Sequence, residues 1–175
     1  MKKKLPLVAA GLALFFVVHC GSSNKAINYN DRIVGYQNKI IEKMLALADS
    51  FSQANPAAMQ VKLLALNGQI DESLAVVSRM QDFKGNTRLR DAAVALFEFY
   101  RDIAAAEYAE LVDILGKGTG NVTDGDRDRL QEIQSNITAR EAEFDKELQE
   151  AQKEFALKYN IEVTENKYQK KIDGM

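Results

Sequence analysis

The chain has 175 residues with 23 basic and 25 acidic groups, a formal charge of −2, and a single cysteine and a single histidine. That length suffices for one domain with a real core, and no basic stripe interleaved with aromatics marks a nucleic-acid partner. His19 and Cys20 are adjacent, so beyond position 20 the chain has neither residue type. This excludes Ser-His and Cys-His catalysis, zinc sites of the usual ligands, the Glu-x-x-His pairs of di-iron bundles and covalent haem attachment.

The N-terminus reads as an export signal. Lys2, Lys3 and Lys4 form a basic head, followed by an apolar run over residues 5–18. Fourteen residues are too few to span a hydrocarbon core, which takes about 20. Val17-Val18-His19 offers no small-x-small cleavage site, whereas Cys20 followed by Gly21-Ser22-Ser23-Asn24 is similar to a bacterial lipoprotein junction. That resemblance implies that the Cys20 thiol takes a diacylglyceryl group and becomes the new N-terminus. Residues 1–19 are then a signal peptide, 20–25 a lipidated tether, 26–159 the folded domain and 160–175 a polar tail. The 156 remaining residues carry 20 basic and 25 acidic groups, a formal charge of −5. With its cysteine spent on the anchor, the exported domain folds without a disulfide.

Helical periodicity starts after the tether. Ile33, Ile40, Met44, Leu47 and Phe51 fall at three- and four-residue steps and predict a helix over 26–53. Asn55-Pro56 supplies an N-cap and a first-turn proline for a second helix through Met59, Leu63, Leu66, Ile70, Leu74, Val77 and Met80, ending near Phe83. Gly68 is a weak point within it, costing about 1 kcal/mol relative to alanine, but the apolar phase passes through undisturbed and predicts one continuous helix. Lys84-Gly85-Asn86 is a turn. A third helix over 87–115 is the most apolar; Phe97 and Phe99 lie about 200° apart around it, which predicts broad burial.

Thr123 caps a fourth helix, with Asp126 at its N3 position and Ile133, Ile137, Phe144, Leu148, Phe155 and Tyr159 on its buried side. Asn160 is its C-cap, and an extended tail follows. Four rods of about 42 to 54 Å joined by short loops predict an all-α, antiparallel up-down-up-down four-helix bundle. Its tether end holds the start of the first helix and the 84–86 turn. Its distal end holds the Asn55 turn and the 116–123 loop.

Two groups of residues stand out. Glu141 occupies an apolar position between Ile137 and Phe144, and antiparallel counting sets it level with Tyr100 and Arg101 and with Asn67. These four form a candidate polar layer. The plainer account is a partly exposed carboxylate at the seam edge paired with Arg101. At the distal tip, Asp124, Asp126 and Asp128 alternate as the first ligands of a calcium loop do. No glycine follows Asp128, and Ser135 stands where a bidentate glutamate belongs, so capping and dipole roles outweigh a metal. No cofactor is expected besides the lipid on Cys20.

The stretch Tyr29-Asn30-Asp31-Arg32-Ile33-Val34-Gly35-Tyr36-Gln37-Asn38-Lys39-Ile40-Ile41-Glu42 behind a lipoprotein junction resembles small helical surface lipoproteins of spirochaetes, the leptospiral type especially. The resemblance implies a location in the cell envelope and accommodates His19. It supplies no catalytic residues. With Gly21 in place of an aspartate after the cysteine, the outer membrane or cell surface is the expected site. The expected function is a membrane-anchored, non-enzymatic binding or adhesion module. A structural or assembly lipoprotein of the periplasm and a small-ligand carrier using the bundle interior are the alternatives.

Overall fold

A computed structural model describes residues 15–18, 24–53, 55–118 and 120–165. Cys20 and Gly21 lie outside the described residues. The first helix, α1 (Asn24–Ser52), is ended by a short turn before Asn55. The Asn55 side chain accepts from the Ala58 backbone N–H at 3.1 Å, and Pro56 occupies a position whose N–H needs no partner, so α2 (Pro56–Val77) starts there. Gly68 does not break α2, which runs through it.

The structure shortens α2 by one and a half turns relative to the sequence reading. Ser78 bonds back to the Leu74 carbonyl, and the chain then leaves the helical path to place Phe83 in an aromatic cluster. In that cluster Phe83 lies 5.3 Å from Tyr29, 5.4 Å from Phe155 and 4.8 Å from Tyr159, and the Tyr159 hydroxyl donates to the Phe83 carbonyl at 2.9 Å. Lys84 (φ 54°) and Gly85 (φ 79°) form the two central positions of a tight turn closed by reciprocal Phe83–Asn86 bonds of 3.1 Å. One partly buried aromatic, packed against three others, outweighs a further turn of helix here.

The third rod is two helices, α3 (Arg88–Ala105) and α4 (Glu107–Gly116), with a break at Ala106 (φ −109°, ψ −76°). Phe97 and Phe99 are both buried, as broad burial requires, and Phe99 stacks on Phe144 at 4.9 Å. The last helix, α5 (Asp124–Tyr159), begins at a complete capping box. Asp126 N–H donates to Thr123 Oγ1 at 3.1 Å and Thr123 N–H donates to Asp126 Oδ2 at 3.0 Å. It ends on Asn160 in the left-handed region (φ 51°).

The rods pack as an all-α four-helix bundle. α2 lies between α1 and the α3–α4 rod, and α5 packs on α3. α1 and α5 close the ring through side chains rather than by close backbone approach, with Tyr29 stacked on Phe155 at 5.7 Å. The core holds Ile33, Ile40, Leu47, Met59, Leu66, Ile70, Phe97, Tyr100 and Phe155, each at most 1% exposed. Burying an aliphatic or phenyl side chain of this kind contributes about 1.5–3 kcal/mol.

A short ribbon sits outside the bundle: β1 (Phe15–Val18) pairs antiparallel with β2 (Glu162–Glu165), Phe15 opposite Glu165 and Val18 opposite Glu162. The start of the tail is thus extended. Its partner strand falls within the segment read as a signal peptide, so cleavage before Cys20 would remove β1 and leave β2 unpaired.

Candidate functional site: a buried polar seam

The seam between α1 and α5 carries polar groups where a bundle ordinarily places hydrophobes. From α5 come Glu141, Asp145 and Gln152, which are 4%, 5% and 2% exposed; from α1 come Asn30 and Gln37, at 3% and 1%. Gln152 Nε2 donates to Asn30 Oδ1 at 3.4 Å. Counted antiparallel from that pair, Gln37 is level with Asp145 and Ile41 with Glu141. From α3, the fully buried Tyr100 hydroxyl donates to Glu141 Oε1 at 3.4 Å.

These groups are short of donors. Gln37 Oε1, Asp145 Oδ2 and Gln152 Oε1 are buried with no hydrogen-bond partner among the described residues. All three are acceptors, and a buried acceptor without a donor costs about 1–3 kcal/mol. A proton on a carboxyl turns an acceptor into a donor, so the geometry favours the neutral acids. Burial pushes Glu141 up to about 8, with the Asp145 charge one turn away adding to the rise and the Tyr100 hydrogen bond opposing it. Burial alone pushes Asp145 up to about 7. Tyr100 is raised well above its ordinary range by burial, then by Asp145 and Glu141; Tyr108 is raised by burial, then by Glu141 and Glu107. Glu141 and Asp145 are therefore two buried acids, one turn apart on α5, whose protonated forms burial favours.

The sequence-level layer is corrected in two of its four members. Tyr100 and Glu141 meet. Arg101 does not join them: one residue on from an inward-facing tyrosine, it is turned about 100° outward, is exposed, and pairs with Asp102 at 3.7 Å. Asn67 is half-buried at the edge of α2, one position past the fully buried Leu66. The account of Glu141 as a partly exposed carboxylate paired with Arg101 falls with the same observation. Asp145, Gln152 and Gln37 belong to the seam and were not singled out by sequence.

At the distal tip the three aspartates diverge. Asp126 uses both oxygens locally: Oδ1 accepts from Lys117 Nζ at 2.7 Å, and Oδ2 accepts from the Thr123 N–H and from its hydroxyl at 2.9 Å. The Lys117 hydrogen bond, then those of Thr123, hold its pKa down at about 2. Asp124 pairs with Arg127, and Asp128 is exposed on the next turn. Among the described residues no three His, Cys, Asp or Glu side chains are grouped to hold a metal ion. No helix of the described residues is long and apolar enough to cross a membrane. No protein-family model, no curated protein and no solved structure matches the chain.

Proposed function

We propose that this chain is an envelope lipoprotein anchored through Cys20, on the outer membrane or cell surface, and that its bundle is a non-enzymatic binding or adhesion module of the kind its spirochaete-like N-terminus suggests. The anchor reading is supported by the basic head, the apolar run and the Cys20-Gly21 junction. Asn24, where α1 begins, follows Cys20 by four residues, a reach of at most about 14 Å. The tether end of the bundle would therefore sit against the lipid and the Asn55 turn would point away.

The observation that carries the binding reading is the second apolar face of α2. Its inner face buries Met59, Leu63, Leu66, Ile70 and Val77. Its outer face presents Ala57, Val61, Leu64, Ala65 and Gly68 along one stripe, with Val61 63% and Leu64 74% exposed. Over residues 56–68, Lys62 is the lone charge, and it lies to one side of the stripe. A helix that is apolar on both faces is one that buries both. The stripe occupies the half of α2 nearest the distal turn, where an anchored bundle presents itself to a partner. Leu157, 84% exposed on α5, stands alone and needs no such explanation.

The test is accessibility. Protease added to intact cells should degrade the chain as completely as it does in lysed cells. Full protection in intact cells, with degradation only after lysis, would place the module inside the envelope and contradict surface display.

A further inference from the structure

We propose that the outer face of α2 is a homophilic docking surface: a second copy of this chain packs against it antiparallel, joining copies anchored in apposed membrane surfaces. The proposal deepens the binding reading above and rests on it, and it names the partner.

The charge pattern selects both the occupant and its direction. Along α2 the stripe is apolar from Ala57 to Gly68 and then acidic at Asp71 and Glu72, all exposed. A parallel pair of α2 helices would set Asp71 and Glu72 beside the same two acids of the partner, like charge against like. An antiparallel pair centred between Val61 and Leu64 sets Val61 against the partner's Leu64 and Ala57 against the partner's Gly68. The same register carries Asp71 and Glu72 just past Pro56 to the N-terminus of the partner's α2, the positive end of its dipole. The twofold arrangement makes each such contact twice. The overlap of twelve residues runs about 18 Å.

Gly68 gives the second, independent observation. It lies in the middle of a helix, where glycine is disfavoured. Nothing inside the chain demands it: a Cβ built there meets no atom within 4 Å. A close approach from outside does explain it, since without a side chain the partner's Ala57 can pack on the bare backbone. Antiparallel pairing also sends the two tether ends in opposite directions. Two copies on one flat membrane cannot meet this way, whereas copies on facing surfaces can.

The experiment reconstitutes the full lipidated chain into vesicles of phosphatidylethanolamine and phosphatidylglycerol and follows clustering by light scattering, beside sedimentation of the same protein in detergent. Wild type should cluster vesicles and sediment as a concentration-dependent dimer. Leu64→Lys and Gly68→Leu change exposed positions and should keep the wild-type helical signal, yet weaken self-association at least about tenfold and abolish clustering. In a Cys20→Ser background, mixed Ala57→Cys and Gly68→Cys chains should form an intermolecular disulfide, and Gly68→Cys chains alone, about 16 Å apart along the pair, should not. Gly68–Gly68 cross-linking, or dimers that leave vesicles unclustered, overturns the antiparallel arrangement. A monomeric wild type, or Leu64→Lys associating as well as wild type, overturns the docking surface. Protein that fails to enter vesicles contradicts the anchor, and the sedimentation arm then decides the docking surface by itself.

Discussion

Glu141 and Asp145 give the bundle a pH dependence of unusual sign. In the folded chain their pKa values are raised to about 8 and about 7, above the ordinary carboxylate values near 4 that the unfolded chain retains. The folded state therefore binds more protons than the unfolded state between those limits. Stability contributed by these groups is fully present below pH 4 and is lost as pH rises through 7 and 8. The loss is about 1.4 kcal/mol per pH unit for each group still holding its extra proton. Asp126 has the opposite sign: its pKa of about 2 confers stability above pH 4 that is lost as pH falls toward 2. Chemical denaturation across the range should give a maximum near pH 4 to 5 and a decline toward pH 8. Glu141→Gln, which supplies a permanent donor and no charge, should flatten part of that decline and make the variant more stable than wild type at pH 8. A wild-type profile flat from pH 5 to 8 would contradict the buried-acid reading.

At the scale of the elements, the caps and turns were legible and the ends of two helices were not. Asn55-Pro56, Lys84-Gly85-Asn86, Thr123 with Asp126, and Asn160 each act through their own backbone neighbours, so local sequence suffices to place them. Thr123→Ala should lower the melting temperature by about 2–4 °C, the effect of losing one cap of about 1 kcal/mol. Added calcium should shift neither wild type nor the triple Asp124→Asn, Asp126→Asn, Asp128→Asn variant; a calcium-dependent rise in wild type alone would show that the tip does bind the ion. Gly68→Ala should stabilise the folded chain by about 0.5–1 kcal/mol in urea titrations, because the added methyl meets open space. A destabilised Gly68→Ala would mean that α2 is not the regular helix described. The early end of α2 was hidden because tertiary packing set it, Phe83 being drawn into the aromatic cluster with Tyr29 and Phe155, and the break at Ala106 was hidden because the α3–α4 rod carries no proline or glycine there to announce it.

The bundle as a whole was legible from four long periodic segments and short connections, while its seam was legible only in part. Glu141 was visible because it interrupts an apolar step. Asp145 and Gln152 were not, because the apolar steps Ile137, Phe144, Leu148 and Phe155 account for the buried side without them. Over 36 residues the buried face follows an eleven-residue period instead, Leu130, Glu141, Gln152, which carries the polar groups inward. The exposed apolar stripe with Val61 and Leu64 lies on the side of α2 that periodicity left unassigned, since the inner apolar steps alone account for the helix. The claim on which location and orientation both depend is the anchor at Cys20. It is tested most directly by labelling growing cells with a radioactive fatty acid and fractionating wild type beside Cys20→Ser. Wild type should incorporate the label and sediment with the membranes, while Cys20→Ser, lacking the thiol that takes the diacylglyceryl group, should be unlabelled and depleted from them. Equal labelling and equal membrane retention of the two chains would contradict the account.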